Sequence, residues 1–144
     1  MRRRYLKAVK NVINNYLTIE ALEDELTVSL TYSTCLYCID GNNKWKLLDT
    51  GKSITINKGQ TISFKDALYN NFIGCGNFVV NKKFNLVGNV MSMLFGDNAK
   101  NIFDLSNYSN AFINLFNNCS TLQSVSSDFL PATILSESCY SGMF

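Results

Sequence analysis

A short phrase that ends in phenylalanine occurs three times in the last third of the chain, and this repetition constrains the fold more than any other feature. The copies are Met93-Leu94-Phe95, Asn114-Leu115-Phe116 and Gly142-Met143-Phe144. The intervals between the three phenylalanines fall in the range of stacked structural repeats. Each copy is predicted to end a short helix, with helices over 107–118 and 135–144 and a short strand at Leu122–Val125. This alternation indicates the start of a solenoid.

Residues 17–87 alternate apolar and polar side chains, as half-buried strands do. About seven such segments, separated by turns roughly every 8–12 residues, predict a β-sandwich-like domain. Within it, strands that are neighbours in sequence are expected to pair across tight turns. The strongest turn is Asp40-Gly41-Asn42-Asn43, because Asp-Gly favours two-residue hairpins. The other expected pairs flank Glu23-Asp24-Glu25, Asn57-Lys58-Gly59-Gln60 and Asn81-Lys82-Lys83.

The segment 1–16 is predicted to form a basic amphipathic helix in front of this domain. Apolar side chains recur there at every third or fourth position and make one stripe. Five basic residues and no acid give the segment a charge of +5, whereas the remainder carries −3 within a net charge of +2. A basic end on a mildly acidic body favours docking to an acidic partner over nucleic-acid binding by the whole protein. The candidate partner-binding residues are Arg2, Arg3, Arg4, Tyr5, Leu6, Lys7, Val9, Lys10, Val12 and Ile13.

Three interpretations of this helix stay open. It packs on the following domain with a solvated basic face, it inserts into a larger assembly as an anchor, or it lies on a membrane surface. The third is disfavoured because the stripe lacks the strong hydrophobicity of membrane-surface helices. A membrane span is not expected, because no apolar run approaches the roughly 18 residues that a bilayer requires.

The chain is predicted to be non-enzymatic and to hold no metal or cofactor. It has no histidine, which removes the commonest general base, the Ser-His and Cys-His pairs and most catalytic zinc sites. Cys35-x-x-Cys38 is the best metal or redox candidate, but a zinc site needs a second such pair and the other three cysteines are isolated. If this segment is a strand, the two thiols point to opposite faces. Reduced, buried thiols are therefore favoured over a metal site or a redox pair.

The turn at Asp40 resembles a degenerate Asp-box, through the spacing Cys38-x-Asp40-x-Asn42-x-Lys44-Trp45. In that motif the aspartate braces a hairpin turn and the tryptophan packs beneath it. The aspartate and the tryptophan match the pattern, whereas the hydroxyl, glycine and threonine positions do not. The motif is structural in families that carry it, so the resemblance implies no active site.

Three segments near the C-terminus match the repeat pattern of a known family. They are Leu130-Pro131-Ala132-Thr133-Ile134-Leu135, Cys139-Tyr140-Ser141-Gly142-Met143-Phe144 and Asn118-Cys119-Ser120-Thr121-Leu122. They resemble the BspA-type leucine-rich-repeat surface proteins of gut Bacteroidota and their tailed phages. Repeats of that family read L-P-A-T-x-L-A-x-x-C-Y-x-x-M-F and continue with G-C-x-x-L, for which this chain has asparagine in place of glycine. Similarity at 16–24 and 91–98 extends the resemblance over 16–144, and the helix at 2–15 is a departure from it.

Together these observations predict a mainly β chain in three parts. An amphipathic anchor helix occupies residues 1–16, a β-sandwich-like domain residues 17–87, and the cap and first repeats of a leucine-rich-repeat-like α/β array residues 88–144. The resemblance implies display and adhesion in a phage virion, as a head- or tail-fibre-like surface component. The absence of a secretory signal agrees with that location. The alternative is an adhesin or carbohydrate-binding module on a bacterial cell surface.

Expected partners follow from the same division. Residues 1–16 would contact other virion or surface-assembly proteins, and the repeat region would contact a host glycan or surface protein. The apolar surface at the end of a repeat array must be covered by further repeats, by a partner or by a neighbouring subunit, so that a homo-oligomer is one of three open alternatives.

Overall fold

The computed structural model describes residues 15–144, and the predicted anchor helix lies almost wholly in residues 1–14, outside the described part. The described chain is mainly β, as predicted, with two sheets. Its strands are β1 Leu17–Ala21, β2 Leu26–Thr31, β3 Cys35–Ile39, β4 Lys46–Leu48, β5 Ser53–Ile56, β6 Thr61–Lys65, β7 Asn77–Val80, β8 Phe84–Val87 and β9 Leu122–Val125. A short helix α1, Ser92–Phe95, runs directly into a 3-10 helix at Gly96–Asn101.

The large sheet has the strand order β4-β3-β6-β1-β8-β9, and the small sheet has the order β5-β2-β7. Neighbouring strands are antiparallel except β8 and β9, which are parallel. Phe64 of β6 and Phe78 of β7 meet across the two sheets with ring centroids 4.8 Å apart. The apolar faces of both sheets therefore share one core.

The predicted pairing of β3 with β4 is confirmed. Cys35 lies opposite Leu48, and the chain turns at Asp40 and Gly41 with φ angles of 51° and 59°. Two successive left-handed residues are the geometry that Asp-Gly favours in a tight turn, and this turn lies within a longer connection, because the last paired residues are Tyr37 and Lys46.

The other three predicted strand pairs are wrong. β1 and β2, β5 and β6, and β7 and β8 are joined by connections that cross from one sheet to the other, so each pair forms an arch and not a hairpin. The three arches stand side by side, because the order β6-β1-β8 in the large sheet matches the order β5-β2-β7 in the small one. An arch and a hairpin both need alternating apolar residues, and the alternation therefore does not distinguish them.

The core continues past Val87 without a break. Buried side chains from the segment 88–144 join the same cluster as those of the sheets, namely Val90, Met91, Met93, Ala99, Leu105, Ala111, Phe112, Leu115, Phe116, Phe129, Cys139 and Met143. β9 also extends the large sheet next to β8. The last third of the chain therefore packs as an extension of the sheets.

The helices predicted over 107–118 and 135–144 are wrong, because both segments are chains of successive turns. Asn110, Asn114 and Asn118 have left-handed φ angles of 58°, 57° and 64°, so every fourth position interrupts a right-handed helix. Asparagine tolerates this conformation better than most residues. The apolar pairs between these asparagines still face the core, which accounts for the helix-like pattern of the sequence.

The turn segments 110–116 and 138–144 form two layers, and the segment 74–78, which leads into β7, forms a third layer beside them. The N–H groups of Phe112 and Phe116 donate to the carbonyl oxygens of Cys139 and Met143, at 2.8 and 2.7 Å. On the other side, the N–H of Phe78 donates to the carbonyl of Leu115 at 2.7 Å. Hydrogen bonds of the kind that join strands thus join successive layers.

The last two copies of the repeated phrase are in contact, because the rings of Phe116 and Phe144 stack with centroids 6.5 Å apart and nearly parallel planes. The first two copies are not in contact through Phe95 and Phe116. Phe95 packs edge-on against Tyr108 at 5.1 Å, and the ring that stacks on Phe116 from within the sheets is Phe78. The first copy of the repeated phrase therefore lies outside the layers.

Candidate functional site

The ten predicted partner-binding residues, between Arg2 and Ile13, lie outside the described part of the chain. What the structure does describe is the point at which this segment meets the body. There Tyr16, Trp45, Lys65 and Asp97 form a contact group that we call the entry cluster. The hydroxyl of Tyr16 donates to Asp97 Oδ1 at 2.6 Å, and Lys65 Nζ donates to the same oxygen at 2.8 Å.

Aromatic rings enclose the lysine of the entry cluster. Lys65 Nζ lies 4.3 Å from the centre of the Trp45 ring, and the rings of Tyr16 and Trp45 meet edge to face at 4.9 Å. A lysine over the face of a tryptophan is held by the negative charge of the ring face. Only 10% of the Lys65 side chain is exposed, so its charge is satisfied by Asp97 and by these rings.

Four different elements supply the entry cluster. Lys65 ends β6, Asp97 lies in the 3-10 helix, Trp45 immediately precedes β4, and Tyr16 immediately precedes β1. The buried hydroxyl of Ser92, in α1, joins β1 to β6, since it accepts the N–H of Leu17 at 2.8 Å and donates to the carbonyl of Phe64 at 2.8 Å. The start of β1 is therefore fixed to β6 and to α1.

The protonation states of the entry cluster favour its hydrogen bonds. The bond from Lys65, followed by the bond from Tyr16, lowers the pKa of the Asp97 carboxyl. Burial and the bond to Asp97 raise the pKa of the Tyr16 hydroxyl well above its usual range. Asp97 is therefore an acceptor and Tyr16 a donor at neutral pH.

The Asp-box interpretation holds only in part. The Asp40 carboxylate does not brace its own turn but accepts the N–H of Thr61 at 2.8 Å and the side-chain amide of Gln60 at 3.2 Å. Trp45 donates through Nε1 to Asn43 at 3.2 Å, while its ring belongs to the entry cluster. The tryptophan that stands out in the sequence thus has a structural role beside the N-terminal segment.

The acidic run Glu23-Asp24-Glu25 connects the three arches. Glu23 accepts the backbone N–H of Lys83 at 2.7 Å, and Asp24 accepts that of Lys58 at 3.1 Å. Each carboxylate thus binds the loop of a neighbouring arch. Glu23 and Asp24 therefore have a structural role.

Two of the cysteines, Cys35 and Cys75, have the surroundings of inert thiols. Cys35 faces the core, and burial raises its pKa to about 12. Cys75 is also fully buried, and burial followed by the proximity of Cys35 raises its pKa further. Because the thiolate is the reactive form, these side chains are unreactive at neutral pH. Within the described range 15–144, no group of three or more cysteine, aspartate or glutamate side chains is placed to hold a metal ion.

A second exposed feature was not predicted from sequence. Tyr32 and Phe72, with exposed fractions of 70% and 85%, form with Ile73 a surface that we call the aromatic patch. The patch opens on a shallow cavity of about 100 Å³, whose lining is completed chiefly by Asn77, Ile113 and Asn114. In the sequence Tyr32 lies at the end of a predicted strand and Phe72 in a polar loop, and neither position signals exposure.

No family model, curated protein or solved structure matches this chain. The resemblance to BspA-type proteins therefore rests on the quoted segments alone and stays a prediction. Among the described residues, no helix combines the length and the apolar character that crossing a membrane requires.

Proposed function

We propose that this protein is a non-enzymatic structural component of a surface assembly, in which residues 1–16 attach it to neighbouring proteins and the body displays a surface for attachment. The observation that carries this proposal is the entry cluster. It fixes Tyr16 to β6 and to the 3-10 helix through Asp97, directly after a segment of charge +5. A pull on the N-terminal segment would therefore be transmitted to the core.

The assembly that we propose is a phage virion, with the protein as a head- or tail-fibre-like surface component. The supporting features are the resemblance of residues 16–144 to proteins of tailed phages and the separation of charge between the two ends of the chain. A basic segment with an apolar stripe fits a partner that offers an acidic rim around an apolar groove.

We further propose that residues 88–144 begin a leucine-rich-repeat-like array. The layers at 110–116 and 138–144 support this, because Phe112 stacks on Tyr140 and Phe116 on Phe144 at the same offset in sequence. The parallel pairing of β8 with β9 adds a strand contribution of the kind that such arrays repeat.

The alternative function is that of a bacterial cell-surface adhesin or a carbohydrate-binding module. A specific observation favours it, namely the exposed aromatic patch on the body. In this alternative the body binds its target in the same way, and only the location of the assembly differs.

The proposal is tested by deleting residues 1–14 and following incorporation into particles. Particles from cultures that express the intact or the shortened chain are purified on a density gradient, and the protein is quantified in the particle fraction. We expect the shortened chain to be lost from particles yet to keep the melting temperature of the intact chain, because the entry cluster begins at Tyr16.

Matched variants test whether the positive charge of the segment is required. Replacing Arg2, Arg3 and Arg4 by Glu should reduce incorporation strongly, whereas replacing the polar Asn11 and Asn14 by Ser should leave it unchanged. Normal incorporation of the shortened chain would overturn the anchoring role.

A further inference from the structure

We propose that the aromatic patch binds a neutral saccharide, with the rings of Phe72 and Tyr32 packing on sugar faces and the amide of Asn77 binding hydroxyl groups. This inference names the ligand class for the attachment role proposed above and rests on that role only for its biological meaning. Its support comes from how the patch is built, from the absence of charge in the described lining, and from a second cavity beside it.

Two glycines place the loop that carries Phe72. A side chain at Gly76 would collide with the carbonyl oxygen of Thr31, and one at Gly74 would collide with the carbonyl oxygens of Asn110 and Ala111. The returning arm of the loop is thus wedged between the end of β2 and the middle turn layer. Only glycine permits so close an approach between backbones.

Hydrogen bonds hold the loop in this position. Asn70 and Gly74 exchange backbone hydrogen bonds at 3.0 and 2.7 Å, and the N–H of Phe72 donates to Asn70 Oδ1 at 2.8 Å. The hydroxyl of Tyr69 donates to the carbonyl of Ser109 at 2.6 Å. The exposed ring of Phe72 is therefore presented by a braced loop, and a braced site loses less conformational entropy on binding.

Tyr32, the second aromatic residue of the patch, has a strained backbone conformation. Its φ of 68° is left-handed, which is an outlier for a bulky side chain. Such strain persists where the surrounding structure imposes it, and it concentrates at functional positions. Here the strained residue directs an aromatic ring into the lining of the cavity, with 70% of the residue exposed to solvent.

The lining of the cavity limits the chemistry of its ligand. It consists of aromatic, aliphatic and amide groups, and none of the described residues that form it is charged. An ionic ligand would find no counter-charge among them, whereas amides both donate to and accept from hydroxyl groups. Aromatic faces carry partial negative charge and attract the weakly positive C–H groups of a sugar face. Hydroxyl groups around an apolar C–H face are the defining chemistry of a neutral sugar ring.

A second cavity of about 140 Å³ shares Asn77 with the first and is lined further by Val79, Asn117, Asn118 and Cys119. Its polar side chains are again chiefly amides. Nδ2 of Asn77 donates to the carbonyl of Asn114 at 2.5 Å, and among the described residues Oδ1 of Asn77 has no hydrogen-bond partner. Asn77 can thus accept a hydroxyl hydrogen between the two cavities. The arrangement fits an oligosaccharide of a few units better than a single sugar.

The test is calorimetric titration of the full chain with neutral oligosaccharides of glucose, mannose, galactose and N-acetylglucosamine, alongside sialylated and sulfated glycans. We expect binding of at least one neutral oligosaccharide, with an affinity that does not change between low and high salt. Phe72→Ala should weaken this binding about tenfold, since one stacked ring is lost.

A second variant distinguishes a loss of binding from a loss of folding. Tyr32→Gly removes the other ring and relieves the left-handed strain, so binding should fall while the melting temperature stays equal or rises. Leu47→Ala is the matched control, because Leu47 is a 60% exposed apolar residue on β4 outside both cavity linings. It should bind as the unmodified chain does.

Three outcomes overturn the inference. They are the absence of binding to every neutral oligosaccharide, binding confined to charged glycans or to a protein, and unchanged affinity of the Phe72→Ala variant. The titration uses purified protein and no particles, so its failure is distinct from a failure of the anchoring test on residues 1–14.

Discussion

The rings of Phe78 and Phe116 stack 5.0 Å apart at an interplanar angle of 17°, although the two residues are far apart in the sequence. Phe78 belongs to β7 of the small sheet, and Phe116 belongs to the middle turn layer. The ring of Phe84, the first residue of β8 in the large sheet, also lies 6.1 Å from that of Phe116. One ring therefore connects both sheets to the layers.

Phe116→Ala should destabilise the whole molecule, because it opens a cavity where the two sheets and the layers meet. The expected loss in the free energy of unfolding is about 3–5 kcal/mol, as for large buried aromatic residues. Denaturant unfolding measures it. Phe144→Ala is the matched control from the same stack, with 53% of the residue exposed, and should cost about 1 kcal/mol. Equal losses for the two variants would contradict the central position of Phe116.

Asn118 has a left-handed φ of 64°, and we therefore expect glycine to be tolerated there better than alanine. Asn118→Gly should leave stability nearly unchanged, whereas Asn118→Ala should cost about 1 kcal/mol, since alanine disfavours this conformation. The neighbouring Asn117→Ala, at an exposed position outside the left-handed residues, should have little effect. The three variants are compared by thermal and denaturant unfolding, and an alanine that is better tolerated than glycine at Asn118 would refute the explanation.

Asp97 makes stability depend on pH in the acid range. Its pKa is lower in the folded protein, so it contributes stability that is fully present above the unfolded value near 4 and is lost as pH falls through the folded value. Asp97→Asn should therefore reduce the free energy of unfolding at pH 7 by about 0.5–1 kcal/mol, a small effect because the side chain is 67% exposed. The difference from the unmodified chain should narrow as the pH is lowered below about 4.

Denaturant unfolding of both proteins across this pH range measures the narrowing. Asp128→Asn removes an exposed carboxylate that takes no part in the entry cluster and should show no comparable difference. If the free energies of unfolding of Asp97→Asn and of the unmodified chain differ as much at the lowest pH as at pH 7, the effect does not arise from ionisation of Asp97.

The cysteines should differ in their reactivity with a thiol reagent. Burial raises the pKa values of Cys35 and Cys75, so neither should react in the native protein at mildly alkaline pH. Cys119 is partly exposed and should react first, although its sulfur lies 3.3 Å from the carbonyl of Phe78. Absorbance of the released reporter should show one faster thiol in the native state and five after denaturation.

The control for this experiment is Cys119→Ser, which should abolish the faster phase. A faster phase that survives this substitution would show that one of the buried thiols is accessible through local opening.

The mainly β character and the β3–β4 hairpin could be predicted because both depend on local signals. Alternation marks a half-buried strand, and Asp40-Gly41 marks a two-residue turn. The arches could not be predicted in the same way, since the choice between hairpin and arch depends on which distant strand lies beside β1. That information is absent from the residues around the turn.

The turn layers and the aromatic patch escaped prediction for different reasons. Closely spaced apolar pairs fit an amphipathic helix, and the asparagines at 110, 114 and 118 that break it have only a weak preference for left-handed geometry. Phe72 and Tyr32 are types that are usually buried; the close approaches at Gly74 and Gly76 place the loop that exposes Phe72, and the exposed Tyr32 has a left-handed backbone. The buried position of Lys65 likewise depends on rings and a carboxylate from other elements.

The side-by-side arches also determine how late the fold can form. Thr18 of β1 pairs with Ser63 and with Val87, so β1 is synthesised long before either of its neighbours in the large sheet. Such non-local pairing is typical of proteins that fold in roughly milliseconds to seconds, because long loops must close before the distant strands can pair. On the ribosome, β1 keeps an open edge until β8 has emerged, and β2 keeps one until β7 has emerged. A growing chain of this kind is most prone to aggregate in that interval.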